Sequence, residues 1–301
     1  MNELPRFGLG CAALPFATTA AGHDAACGII RHAAERGVEW FDTSSFYSAG
    51  DNEAGVGDAL DGIPRDSYLL STKAGYIMDD EARAVSNVAH PGNTAKGYSY
   101  DFVMWSIERS LQRLRTDRLD FAMLHDVETD EQVQEAIDGG IRALDELRNQ
   151  QVLGAIGVGS IHLDTTITLI EAYELDLVML PCWYHLIDRS ANETLLPLCQ
   201  KKNIPVVVAG PFAGGLLANP YAEDARYNYN PTTPDSRLRA QAAAKVCERH
   251  DVSIKAAAIQ FPLRHPAVKA IMSGPKTIAE IEENLELMTV EISSELWQEL
   301  G

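Results

Sequence analysis

Short apolar runs rich in β-formers alternate with helix-spaced segments along this whole chain, and that alternation limits the fold more than any other feature. The runs are Phe7 to Cys11, Val38 to Asp42, Tyr68 to Thr72, Leu119 to His125, Ala155 to Val158, Leu177 to Pro181, Val206 to Ala209 and Val268 to Met272. Helical spacing fills the intervals at 25–36, 102–115, 131–149, 165–174, 193–202, 236–250 and 278–288, with a shorter candidate at 52–60. Strict alternation means parallel strands joined by right-handed crossovers, and strands this continuously apolar are covered on both faces. With no Pro/Gly-rich linker between halves, the pattern predicts a single (β/α)8 TIM barrel domain over residues 1–301. An open doubly wound sheet is the alternative. Its glycine fingerprint is only mimicked by Gly8-Leu9-Gly10-Cys11-Ala12-Ala13, because Pro15 follows and no helix is expected before about Asp24.

A formal charge of -18 over 301 residues repels phosphate backbones and anionic lipid, which disfavours nucleic acid or a membrane surface as partner. Cys11, Cys27, Cys182, Cys199 and Cys247 are scattered and odd in number, so neither a disulfide framework nor a thiolate zinc site is expected. No run approaches the ~20 apolar residues of a membrane span, and Met-Asn-Glu-Leu-Pro-Arg leads into the first strand without a charged-then-apolar leader. These features together point to a reducing, cytoplasmic setting.

Three successive apolar runs end in residues that can move a proton. The second ends in Asp42, with Tyr47 five residues on; the third ends in Ser71-Thr72-Lys73; the fourth in Leu124-His125-Asp126. In a barrel all of these ends share the rim where active sites are built. A phenol is a poor acid or base at neutral pH, and an adjacent ammonium lowers its pKa by stabilising phenolate. Lys73 can supply that field, Asp42 the counter-ion that a lysine needs away from water, and His125 a hydrogen bond that orients a substrate oxygen. Two longer irregular stretches, 77–100 and 218–235, also follow strand ends and suit substrate walls or a lid.

These motifs, with Ser106-Ile107-Glu108-Arg109-Ser110-Leu111-Gln112-Arg113-Leu114, Ala155-Ile156-Gly157-Val158-Gly159 and Glu283-Asn284, resemble the aldo-keto reductase family over nearly the whole chain. The resemblance implies an NAD(P)-dependent oxidoreductase with Asp42, Tyr47, Lys73 and His125 as the catalytic tetrad. Leu186-Ile187-Asp188, Gly210-Pro211-Phe212, the Tyr227-Asn228-Tyr229-Asn230-Pro231 loop and Gln260-Phe261-Pro262 are similar to one branch of it. That branch holds L-fucose and D-threo-aldose 1-dehydrogenases and pyridoxal 4-dehydrogenase. An aldose 1-dehydrogenase is therefore expected. An aldehyde or pyridoxal dehydrogenase or reductase, or a nicotinamide-binding regulatory protein with little turnover, are the alternatives.

The resemblance also implies which residues would bind a dinucleotide: Cys11, Asp42, Ser160, Gly210, Phe212, Gly214 and Leu216. Gly274, Lys276, Thr277, Glu280, Glu283 and Asn284 would hold the adenosine end, where a helix follows a tight turn. Positions that carry a lysine and an arginine in many NADP-preferring members read Gly274 and Glu280 here. A carboxylate repels a 2′-phosphate and accepts from a free ribose hydroxyl, so NAD is the expected cofactor, with NADP possible through Lys276. The carboxamide-binding pair reads Gly159-Ser160, a glutamine is replaced by Pro181, and the stacking tyrosine is absent near Phe212. A small-molecule carbonyl, alcohol or sugar is the expected partner, with Tyr47, His125, Asp126, Trp183 and His185 against it and Arg189 on the same rim. His90, His162 and His265 have no metal-ligand spacing, and no metal is expected.

Overall fold

In the computed structural model, which describes residues 3–16, 19–78 and 95–301, ten strands are present. They are β1 (Phe7–Gly10), β2 (Trp40–Asp42), β3 (Leu69–Ala74), β4 (Leu119–His125), β5 (Leu153–Gly159), β6 (Leu177–Pro181), β7 (Val206–Ala209), β8 (Arg226–Tyr227), β9 (Asn230–Pro231) and β10 (Val268–Ser273). Eight of them hydrogen-bond in the order β1-β10-β7-β6-β5-β4-β3-β2 and close into a barrel, as the alternation predicts. The remaining two, β8 and β9, form a small antiparallel hairpin inside the 218–235 stretch, which periodicity alone left irregular.

The chain divides into two compact units: Phe7–Met179 with Gly274–Ile278, and Met1–Arg6 with Leu180–Ser273 and Ala279–Gly301. In the first, β2, β3, β4 and β5 pair in parallel with an unbroken register from Trp40↔Leu69 to His125↔Gly159. Trp40 stacks on Phe121 at 4.9 Å and spends its indole N–H on Ser71 Oγ at 3.0 Å, so a large buried ring leaves no polar atom unmet. In the second unit, β7 and β10 pair from Val206↔Val268 to Ala209↔Met272.

Helix ends follow capping chemistry. Ser99 accepts from Phe102 N and opens Tyr100–Leu114, whose Phe102, Val103, Ser106, Ile107, Ser110 and Leu114 form one buried stripe. Thr129 and Gln132 make a capping box for Asp130–Glu135. Three expectations are corrected. The first helix starts at Ala20, not near Asp24, and Cys11–Ala13 form a 3-10 turn. The 131–149 segment is not one regular helix but Asp130–Glu135, a π turn at Ala136–Gly140, and Ile141–Asn149. Helices at Ile254–Gln260 and Ser294–Leu300 were not anticipated, being only seven residues each and too short for a clear period.

The segment after β3 runs through a bridge, Tyr76 against Lys96, and the part of the expected 77–100 loop from 79 to 94, with His90, lies outside the described residues. Among the described residues no helix is long and apolar enough to cross a membrane. All five cysteines are buried free thiols.

Candidate active site

The ends of β2, β3 and β4 bring Asp42, Lys73 and His125 together with Tyr47, all in the unit that contains residues 7–179. Lys73 Nζ lies 2.5 Å from Asp42 Oδ2 and donates to Thr43 O at 2.8 Å and to Tyr47 OH at 3.4 Å. Its charged end is sealed off, since the lysine is 2% and the aspartate 3% exposed. Ser71 Oγ donates to Asp42 Oδ1 at 2.7 Å, so both carboxylate oxygens have partners. Burial pushes the Asp42 carboxyl up, and the Lys73 ammonium and Ser71 hydroxyl oppose that rise.

Tyr47 opens a short turn whose next residues, Ser48 and Ala49, both adopt left-handed backbone at φ 51° and 53°. Such conformations cost a non-glycine residue free energy and cluster where a side chain must be aimed. Its hydroxyl is enclosed although the ring is partly exposed. The expectation that Lys73 lowers the phenol pKa is not met: burial first, then the Asp42 and Asp126 carboxylates, hold it well above the ordinary value of 10. The ammonium lies closer to Asp42, at 2.5 Å, than to the phenol oxygen, at 3.4 Å.

His125 is held from both sides. Its Nδ1 is 2.9 Å from Ser44 Oγ, and its backbone carbonyl accepts from Tyr98 OH at 2.6 Å. Burial, then the Lys73 charge, lowers its pKa to about 3, so the ring is neutral at neutral pH. Phe46, Tyr47 and Tyr76 surround it edge-on, with ring centroids 6.1, 5.9 and 5.1 Å away, and Phe46 stacks on Tyr76 at 4.0 Å. Asp126, expected against substrate, is partly exposed and tied to its neighbours. It turns the chain at φ 53°, accepts from Tyr76 OH at 2.8 Å and Ile161 N at 3.1 Å, and its carbonyl accepts from Lys96 Nζ at 2.9 Å.

Gly75 explains how Tyr98 gets so close. It has φ +151°, and a Cβ there would stand 2.8 Å from Tyr98 Cε1 and 2.9 Å from His125 O. Ser44, Tyr76, Tyr98 and Gly75 were all missed in the sequence. Only Ser44 had a usable signal, its place in the turn between Asp42 and Tyr47.

Of the residues expected along the dinucleotide, Cys11 is fully buried, and the Asp42 backbone and charge act on its thiol. Ser160 is buried, and its hydroxyl accepts from His162 N at 3.0 Å. Gly274 is exposed, and a Cβ on it would meet Gly10 O at 3.5 Å; Lys276 and Thr277 are exposed beside it. In the other unit Leu216 is fully buried, Phe212 is partly exposed, and Gly210 at φ +68° and Gly214 at φ +75° turn the chain after β7. Glu280 stands exposed in the first turn of the helix Ile278–Leu287. Glu283 forms an ion pair with Lys255 at 2.6 Å, and Asn284 Nδ2 donates to Ser273 Oγ at 3.0 Å.

Among the substrate candidates in that unit, Trp183 is partly exposed, while His185 is 1% exposed with neither ring nitrogen hydrogen-bonded. Burial lowers its pKa to about 4. Arg189 is taken up elsewhere, over the Phe261 ring at 4.6 Å and on Leu300 O at 2.7 Å. Among the described residues no group of three His, Cys, Asp or Glu stands together as a metal site.

A sequence model described as the aldo/keto reductase family matches residues 6–301. A D-threo-aldose 1-dehydrogenase from Pseudomonas sp. is 32% identical over 99% of this chain and 93% of its own length. A pyridoxal 4-dehydrogenase from Microbacterium luteolum is 31% identical over 88% of this chain and 84% of its own. The fold is shared with an aldo-keto reductase from Bacillus halodurans solved in its holo form, at TM-score 0.80 and 24% identity over 98% of this chain and 90% of that one.

Proposed function

This chain belongs to the aldo/keto reductase family, and from that premise we propose that it oxidises the anomeric carbinol of an aldose to a lactone with NAD, through Tyr47, Lys73, Asp42 and His125. It is an NAD(P)-dependent oxidoreductase. The chemistry of the donor set fits a nicotinamide: a phenol, an ammonium, a carboxylate and an imidazole can move protons but cannot accept a hydride. The cysteines cannot substitute, since all five are free thiols, already reduced, with no disulfide to take up electrons. When bound, the dinucleotide accepts the hydride from the substrate carbon or returns it there.

The observation that carries the proposal is the enclosed line Asp42–Lys73–Tyr47, 2.5 Å and 3.4 Å between successive polar atoms, with the neutral His125 ring beside the phenol. Oxidation removes the carbinol hydrogen as hydride and the hydroxyl hydrogen as a proton, leaving C=O. Tyr47 takes that proton, or gives it back when a carbonyl is reduced. Lys73 stabilises the phenolate formed on the way, Asp42 keeps Lys73 charged and in place, and His125 hydrogen-bonds the substrate oxygen. The protonated resting phenol is ready for reduction, so oxidation requires its proton to leave first.

Glu280, in the first turn of the helix Ile278–Leu287, supports NAD over NADP, because its charge opposes a 2′-phosphate. The relatives support a sugar lactol as substrate, with the hydroxymethyl compound pyridoxal as the second class. We read residues 1–301 as one barrel domain acting in the cytoplasm. The test is NADH formation at 340 nm across L-fucose, D-arabinose, L-galactose and pyridoxal with both dinucleotides. Sustained turnover of an aldose, with higher kcat/KM for NAD than NADP, is expected, and Tyr47→Phe should abolish it while still binding NAD. Turnover of none of these substrates, or full activity in Tyr47→Phe, overturns the assignment.

A further inference from the structure

Ser44 touches both Tyr47 and His125, the two residues proposed to face the substrate oxygen. It is fully buried at the end of β2; its carbonyl accepts from Tyr47 N at 3.1 Å, and its hydroxyl reaches across to His125 Nδ1 at 2.9 Å. The same hydroxyl accepts from Phe46 N at 3.1 Å, a local turn contact typical of serine. We propose that Ser44 is a positioning residue that decides which nitrogen of His125 carries the hydrogen: its hydroxyl donates to Nδ1, and Nε2 bears the N–H.

The assignment follows from counting donors and acceptors. A serine hydroxyl has one hydrogen and two lone pairs, and a neutral imidazole has one donor and one acceptor nitrogen. Phe46 N–H already occupies one lone pair of Ser44 Oγ. If Nδ1 carried the hydrogen, Oγ would accept twice and its own hydrogen would be left in a buried place without an acceptor, which costs free energy. Donation from Oγ to Nδ1 satisfies both the hydroxyl and Nδ1, and the bond made by one ring nitrogen fixes the state of the other.

Nε2 then carries an N–H whose nearest carboxylate oxygen, Asp126 Oδ2, stands 3.8 Å away, beyond hydrogen-bond length. Asp126 Oδ2 is itself engaged by Tyr76 OH at 2.8 Å, so that carboxylate competes little for the hydrogen. It remains available to a carbonyl or carbinol oxygen held beside Tyr47. An Nδ1–H tautomer would instead present a lone pair at Nε2, which repels a carbonyl oxygen. The inference rests on the proposed role of His125 in orienting the substrate oxygen, but the nitrogen assignment can be measured without any substrate.

The experiment is imidazole 1H–15N NMR of the whole protein at neutral pH, with the His125 signals identified by their loss in His125→Gln. The wild type should show a protonated Nε2 and a bare Nδ1; a protonated Nδ1 overturns the proposal, whether or not any variant folds. Ser44→Ala should shift the ring toward a tautomer mixture and lower kcat on the order of tenfold with KM for substrate little changed, as loss of one oriented hydrogen bond. Ser44→Thr, which keeps the hydroxyl, should restore both. An unchanged ring spectrum in folded Ser44→Ala, or a changed spectrum with unchanged kcat, overturns it. If the wild type turns over no substrate, the catalytic reading fails while the spectrum still decides the tautomer.

Discussion

At the scale of single residues, the site stores an ion pair that water cannot reach. Separating such a pair leaves one charge buried alone, which costs far more than losing a surface bridge. Lys73→Met should therefore lower the unfolding free energy by about 3–5 kcal/mol in urea titrations, and adding Asp42→Asn should recover part of that loss. The pH dependence follows with a definite sign. His125 and His185 titrate near 3 and 4 in the folded chain against an ordinary 6.5, so below 6.5 the unfolded chain binds protons that the folded one refuses. Their contribution to stability is complete above about pH 6.5 and is lost as pH falls through that window. A thermal melt series from neutral to acid pH should show Tm falling, and His125→Gln should flatten the fall. Because Tyr47 is held above 10, the oxidation rate should climb with pH without a plateau below about 10, a profile that Tyr47→Phe cannot show. The candidate proton-moving side chains were legible because Asp42, Lys73 and His125 each stand at the end of an apolar run and Tyr47 follows the first of them by five residues. Tyr98 was not, because nothing local marks a tyrosine whose hydroxyl meets the carbonyl of His125, 27 residues on.

At the scale of elements, the end of β4 is shaped by its neighbours more than by its own sequence. Tyr98 enters under His125 because Gly75 has no Cβ, and because Gly140 in the π turn at Ala136–Gly140 lets the Tyr98 carbonyl approach to where a Cβ would stand 2.8 Å away. One extra residue in a helical turn re-aims the backbone, and such turns recur at functional sites. Periodicity across 131–149 read as a continuous helix, since a π turn shifts the phase without breaking the apolar stripe. Gly75→Ala should cost about 1–3 kcal/mol, from both the unusual φ and the contact with Tyr98, and should lower kcat by displacing His125. Circular dichroism melts together with single-turnover rates check both halves of that expectation.

At the scale of the whole molecule, a charge of -18 keeps the chain away from other polyanions, and a dinucleotide must be drawn in by local donors rather than by the overall field. NAD at about 100 times its Kd should raise the unfolding free energy by about 2.7 kcal/mol, and NADP at equal concentration by less, if Glu280 opposes the extra phosphate. Differential scanning calorimetry with each dinucleotide measures this. The sequence by itself determined the barrel and marked the candidate proton-moving groups, because hydrophobic period and strand-end chemistry are local properties of the chain. Only the tertiary structure decided that Lys73 lies nearer Asp42 than Tyr47, that Asp126 accepts from Tyr76 and Ile161, and that Ser44 meets His125. Those facts depend on contacts between residues as many as 81 positions apart, and local pattern carries no information about which distant hydroxyl or carboxylate will arrive beside a given ring.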